Sequence, residues 1–288
     1  MFPVAPATTT PILELIDGDP MAFDLGRVQN DIRELREFLK RAPKYPTPEE
    51  IHALRTCVRR FEASLQALAV DSRPNERRLL KRLAKLRRRA GKVRDLDVLT
   101  GYVAEARMEE EEVCRVQLLE YLGAEHARNC RRLYAFAVKH GEPLRRCLKD
   151  TAAYLGTLLA DSLAPGNAML SELRLQTELA TSARLNRENL HPYRLKVKEL
   201  RYILQMEEQS GYQQLIKTLG EMKDAIGEWH DWQELLTIAR ELLPHGPKCK
   251  LLRSFQATTH EKLKHALTVT NAGRKHIRRS FSAMVKRA

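Results

Sequence analysis

Aromatic residues are scarce in this chain of 288, at 6%. Stacking successive nucleic-acid bases needs several rings in a row, so that mode of binding is poorly supplied. No uninterrupted apolar run approaches the roughly 20 residues that span a bilayer, and no transmembrane segment is expected. The N-terminus lacks a charged region followed by an apolar stretch, so no secretory signal is read. The five cysteines, Cys57, Cys114, Cys130, Cys147 and Cys249, are scattered, odd in number and form no C-x-x-C. They read as reduced core thiols of a cytoplasmic protein, not as a disulfide framework or a metal centre. Also missing are G-x-x-x-x-G-K-[ST], G-x-G-x-x-G, G-x-S-x-G and H-E-x-x-H. Each carries a specific chemistry through phosphate-cradling amides, an exposed nucleophile or a zinc pair. Without them, no catalytic residue and no cofactor is expected.

What the chain has in quantity is positive charge, 50 Lys and Arg against 37 Asp and Glu, for a formal charge of +13. Such an excess concerns partners and not fold. It points to nucleic acid, an anionic membrane surface or another polyanion. With 43% hydrophobic residues there is apolar material for a sizeable core. Residues 1–21 are rich in Pro and Thr and read as a flexible leader. From Ala22 onward the apolar period is helical and no strand of period 2 stands out. Helices are predicted over about 22–41, 48–70, 75–112, 114–140, 143–161, 168–184, 189–209, 213–243, 249–268 and 272–287. Thr47-Pro48-Glu49-Glu50 is a helix start with Pro in the first turn. Pro165-Gly166 is the clearest interior break. Glu109 to Glu112 read as a solvated acidic helix face.

An internal repeat is the strongest signal. His52-Ala53-Leu54-Arg55 opens one helix and His191-Pro192-Tyr193-Arg194 opens another, 139 positions later. Counted from each histidine, apolar residues fall at +2, +6, +9 and +13: Leu54, Val58, Phe61 and Leu65, then Tyr193, Val197, Leu200 and Leu204. That spacing is a core-facing helical stripe. A polar stripe runs beside it at 0, +3, +7 and +10: His52, Arg55, Arg59 and Glu62, then His191, Arg194, Lys198 and Arg201. Glu62 is the one departure in sign. Gly91-Lys92-Val93-Arg94-Asp95-Leu96 likewise parallels Gly227-Glu228-Trp229-His230-Asp231-Trp232, 136 positions on. Agreement of the two offsets implies one duplicated helical unit, with repeat 1 over about 22–164 and repeat 2 over about 165–288.

Arg77 to Arg94 holds ten Lys or Arg in eighteen positions and no acid. Leu79, Leu83, Leu86, Ala90 and Val93 form a narrow apolar seam through it. Solvated helix faces normally mix both signs, because like charges at i,i+4 repel. Ten unmixed cations therefore favour a bound polyanion over a merely solvated face. The polar row at i, i+3, i+7 sets its groups about a turn apart. Arg offers a planar fork of donors, Lys a mobile point charge and protonated His two more donors, a combination suited to phosphate oxygens. Asp95 and Asp231 read as partners that orient nearby cations, with a general-base role as the alternative, and Gly91 and Gly227 as places of close helix approach or a kink.

These marks resemble the CHAD family (conserved histidine α-helical domain). The resemblance rests on H-x-x-R helices with trailing cations, on Arg94-Asp95-Leu96-Asp97-Val98-Leu99, and on the same scheme again through His230-Asp231. It covers about 22–288 and is weak at Glu62 and over Cys114–Cys147. It implies an all-α domain of two helical bundles related by a pseudo-twofold axis, with a basic central groove or pore that binds inorganic polyphosphate. Carried over by position as ligand contacts are His52, Arg55, Arg59, His191, Arg194, Lys198 and Arg201, followed by Arg60, Lys85, Arg88, Arg94, Lys223 and His230. The E-x-E-x-K strand of the triphosphatase domain often fused to such proteins is absent, so no hydrolase activity is implied. Association with polyphosphate or other storage granules would follow from such a ligand. Nucleic-acid binding stays open as the alternative, supported by the basic stretch Arg274, Lys275, Arg278, Arg279, Lys286 and Arg287. A weaker rival is an HD-type metal-dependent phosphohydrolase using His191, His230 and Asp231. That pattern needs a later aspartate, and Asp231 is the last in the chain.

Overall fold

The computed structural model describes residues 25–68, 70–106, 111–160, 165–206, 212–243 and 249–285. The expected leader and the basic residues Lys286 and Arg287 lie outside the described residues. Among the described residues there are eight helices and no strand: α1 Leu25–Arg41, α2 Pro48–Ala67, α3 Pro74–Glu105, α4 Glu112–Ala160, α5 Pro165–Thr181, α6 Leu190–Met206, α7 Gln213–Leu242 and α8 Lys250–Val285. The protein is all-α, as its period indicates.

Two expected breaks are absent. The spans 114–140 and 143–161 form the single helix α4, which runs on through Pro143. A proline in a helix interior removes one donor and normally kinks the chain. Here the neighbouring Gly141 lets α1 pack close, because a Cβ at that position would lie 3.1 Å from the Leu39 carbonyl oxygen. The spans 249–268 and 272–287 likewise form the one helix α8.

The helices pair in the same order in each half. α1 packs on α2 and α4, and α3 on α2 and α4; α5 packs on α6 and α8, and α7 on α6 and α8. The halves meet where α2 contacts α6 and α3 contacts α7. The start of α2 is fixed by a capping box: the Glu50 N–H donates to Thr47 Oγ1 at 3.2 Å, and the Thr47 N–H donates to Glu50 Oε2 at 3.0 Å. Both predicted apolar stripes are buried in full, Leu54, Val58, Phe61 and Leu65 in one core and Tyr193, Val197, Leu200 and Leu204 in a second. A third core is built by both halves together. It joins the C-terminal parts of α3 and α7 (Leu99, Val103, Leu235, Ala239) to the first turns of α4 and α8 (Leu118, Leu251, Phe255).

Part of the C-terminal basic stretch serves the fold. Arg274 is buried and donates through Nη1 to the Ala183 carbonyl at 3.0 Å, while Arg278 Nε donates to the Ala180 carbonyl at 2.7 Å. These are carbonyls at the end of α5 and just beyond it, which the helix cannot satisfy itself. Replacing Arg274 with Gln should destabilise the protein by about 1.5–3 kcal/mol, the usual worth of charge-assisted hydrogen bonds. Chemical denaturation of the two proteins measures it.

Candidate polyanion-binding site

The two polar stripes face each other where α2 meets α6. Lys198 is buried, 8% exposed, and lies close enough to Arg59, Arg194, Arg55 and Lys223 to feel their charges. Arg55 in turn sits among Asp95, Arg87, Arg94 and Arg194. His52 is surrounded by Arg94, Lys223, Arg55 and Lys198. Cations from α2, α3, α6 and α7 thus converge from both halves on one place.

Two glycines make this possible. A Cβ on Gly91 would collide with the Arg55 guanidinium, and a Cβ on Gly227 with that of Arg194. Each arginine therefore lies flat against the backbone of the next helix in its own half. Arg194 is further held by donating from Nε to the Lys223 carbonyl at 3.0 Å. The glycines were expected to permit close helix approach; what approaches is a side chain.

Several polar atoms here have no hydrogen-bond partner among the described residues: the donors Arg59 Nε and Arg201 Nε and the ring nitrogen His191 Nδ1, all buried atoms. Unsatisfied buried donors are costly and mark where an acceptor would fit. Protonation of the histidines is disfavoured in this setting. Burial first, then His191 and Arg194, pushes His230 down to about 4. His191 and His52 are lowered too, by burial and by the surrounding cations. The His191 and His230 rings pack on each other with centroids 4.3 Å apart. Asp95 lies among Arg55, Arg194, Arg94 and Lys198, so it does face the cations of both halves. Asp231 is raised to about 6, by burial foremost.

Not every expected residue joins the cluster. Arg60 is turned to α1, where its Nη2 holds Asp31 at 2.5 Å. Lys85 lies on the α4 side of α3, near His140 with Arg82 and Arg89. Arg88 is exposed on α3, three positions before Gly91. Glu62, the departure in the repeat, pairs with Arg87 at 2.8 Å. A cleft of about 400 Å³ opens beside these groups, lined by Arg59, Glu62, Arg87, Glu199 and Tyr202 among others. Arg87 was counted in the basic run and Glu199 and Tyr202 lie within the second repeat's motif, but none of the three was expected to line the site.

Two similarly wired four-helix halves with facing cationic stripes define a class of all-α domain, and comparison with known proteins gives it a name. The family model for the CHAD domain matches residues 27–240, and the chain belongs to that family. The crystal structure of the CHAD domain from the plant Ricinus communis is similar, with a TM-score of 0.63 at 18% identity, covering 91% of this chain and 95% of that one. PptA from Streptomyces chartreusis is similar with a TM-score of 0.59 at 16% identity, covering 91% of this chain and all of that one. No curated protein matches the chain in sequence.

The crowding of cations has a consequence for stability. Burial, followed by Arg59, Arg194, Arg55 and Lys223, pushes Lys198 down to about 6 from its ordinary 10.5. Between those values the unfolded chain binds more protons at this lysine than the folded one, so its contribution to stability rises with pH across that window. Lys198→Met should be more stable than the parent at pH 7 and should flatten the rise. Denaturation midpoints of both proteins from pH 6 to 9 measure it, and equal slopes would contradict the assignment.

Proposed function

We propose that this protein binds inorganic polyphosphate, without catalysis, where α2 and α3 of one half meet α6 and α7 of the other. The observation that carries the reading is the convergence of Arg55, Arg59, Arg194, Lys198 and Lys223 from both halves, with donors of Arg59 and Arg201 left over. A bound polyanion would accept from those donors and would restore the charge of Lys198. Binding is therefore expected to take up protons near neutral pH.

Polyphosphate suits the site better than nucleic acid. It presents charge at every phosphate and has no bases to read. The aromatic pairs nearest the cluster are occupied with each other, Tyr102 on Trp232 with centroids 4.6 Å apart and His191 on His230. Among residues lining the cleft Tyr202 is the single ring, whereas strand binding uses successive platforms. The phosphohydrolase alternative is disfavoured by donor geometry. Among the described residues, His191, His230 and Asp231 do not bring three ligand atoms together, as a phosphohydrolase centre would require. A cytoplasmic setting, with attachment to polyphosphate or other granules, accords with this ligand. No helix among the described residues is long and apolar enough to cross a membrane.

A competition at fixed salt tests the ligand. Long-chain polyphosphate should displace single-stranded RNA and duplex DNA at equal phosphate concentration, and its affinity should fall steeply with salt. The double variants Arg55→Gln with Arg59→Gln, and Arg194→Gln with Lys198→Met, should each bind at least about tenfold more weakly, given roughly 1.5–3 kcal/mol per charge-assisted hydrogen bond and tenfold per 1.4 kcal/mol. RNA or DNA prevailing would favour the nucleic-acid alternative. Release of phosphate with Mg²⁺, lost in His230→Ala, would favour the phosphohydrolase.

The glycine seats give a second test with a distinct signature. Gly91→Ala and Gly227→Ala should leave the fold intact, since the overlapping atoms belong to movable arginine ends and Ala favours a helix by about 1 kcal/mol. Each should nonetheless weaken polyphosphate binding by displacing its arginine. A melting temperature held or raised together with lost affinity is the expected pair; unchanged affinity would remove the seats from the site.

A further inference from the structure

Cys114 and Cys249 stand 135 positions apart, nearly the offset that separates the two histidine helices and the two glycines. They occupy corresponding places in the two halves, Cys114 in the first turn of α4 and Cys249 immediately before α8. The fold brings them together in the core that both halves build, where both are buried, 4% and 2% exposed. A third donor comes from Glu111, just ahead of α4. One of its carboxylate oxygens accepts from the Lys250 N–H at 2.8 Å, and the other accepts from Cys249 Sγ at 3.7 Å. One oxygen and the two sulfurs all lie within 4.8 Å of one another.

We propose that Glu111, Cys114 and Cys249 form a site for one zinc ion that ties the two halves together. Zinc takes thiolate sulfur at about 2.3 Å and carboxylate oxygen at about 2.0–2.2 Å, with a water completing four. Two sulfurs among three donors select against magnesium and calcium, which take oxygen. Cys114 lies in the first turn of α4 and Cys249 precedes that of α8, where the partial positive charge of a helix favours thiolate. Glu111 is already fixed by the first backbone N–H of α8, so little ordering is needed when the ion arrives. A similar trio elsewhere, Asp31, Glu34 and Cys57, is already served by a resident cation, because Arg60 holds Asp31 at 2.5 Å and lies 3.8 Å from Glu34. The site departs from the reading of every cysteine as a plain core thiol, and it owes nothing to the polyphosphate cleft.

The full chain, kept reduced and stripped with chelator, is titrated with Co²⁺ as a spectroscopic probe and with Zn²⁺ for stoichiometry. One Zn²⁺ per chain should survive desalting, Co²⁺ should give a thiolate-to-metal charge-transfer band, and Zn²⁺ should raise the melting temperature. Cys114→Ser and Cys249→Ser should each lose the band and weaken zinc binding at least about 100-fold, beyond what removal of a supporting outer-shell group does. Glu111→Gln should keep the band and bind more weakly. Circular dichroism checks that each variant is folded. Wild-type protein that retains no zinc overturns the proposal. So does a folded Cys114→Ser, Cys249→Ser double variant that binds as wild type does, which would place the ion elsewhere. A Cys114–Cys249 disulfide formed in air, with no zinc uptake by reduced protein, overturns it as well.

Discussion

Like charges held close together against their own repulsion are the condition on which the rest of this molecule depends. Two unit charges 4 Å apart repel by about 4 kcal/mol at an effective dielectric constant of 20. Arg55, Arg59, Arg194, Lys198 and Lys223 stand near enough for each to bear on Lys198 or its neighbours. Something must hold the halves in register while they repel. The shared core does so, with Leu99, Val103, Leu118, Leu235, Leu251 and Phe255 drawn from both halves. Each large apolar side chain fully removed from water contributes roughly 1.5–3 kcal/mol. The apolar contacts thus set the distance between the halves, and the cations accept it.

Arginine does four different jobs here, and counting basic residues hides the difference. Arg55 and Arg194 lie on glycine backbones inside the cluster. Arg60 and Arg87 neutralise acids, Asp31 and Glu62. Arg274 and Arg278 close the end of α5. A further group stays near aromatic rings, with the Arg73 guanidinium 3.2 Å from the Tyr154 ring centre and that of Arg89 4.6 Å from Phe136. Net charge therefore overstates what is free to meet an anion, and the true cationic surface is narrower than the sequence suggests.

This explains what the sequence could and could not convey. Helix class, both apolar stripes and the facing polar stripes were legible, because the same spacing occurs twice in the sequence and periodicity reports burial directly. Gly91 and Gly227 were visible as a pair, but their task was not, since a glycine does not name the group it makes room for. Arg60 and Lys85 could not be told from their neighbours, because whether a cation is paired depends on which helix packs beside it. Lys198 was expected as a displayed cation and is a buried one. Its position in the stripe was right; its exposure depends on how closely α2 and α6 approach. The breaks expected between 140 and 143 and between 268 and 272 failed for the same reason. Local punctuation signals a stop, but long-range packing along α4 and α8 overrides it.

The pair between Glu62 and Arg87 has a last implication. Apart from that position the two polar stripes carry the same signs, so a perfect duplication would have given a receptor with interchangeable ends. Glu62 and Glu199 instead place two acids in the cleft wall beside Arg59, while the neighbourhood of His52 is cationic through Arg94, Lys223, Arg55 and Lys198. The charged neighbours thus differ between the Glu62 and the His52 ends of α2. On the proposed function, a linear anion with identical ends would have no orientation of its own, so any polarity in how it lay there would belong to the protein: a head and a tail written by Glu62 and Glu199.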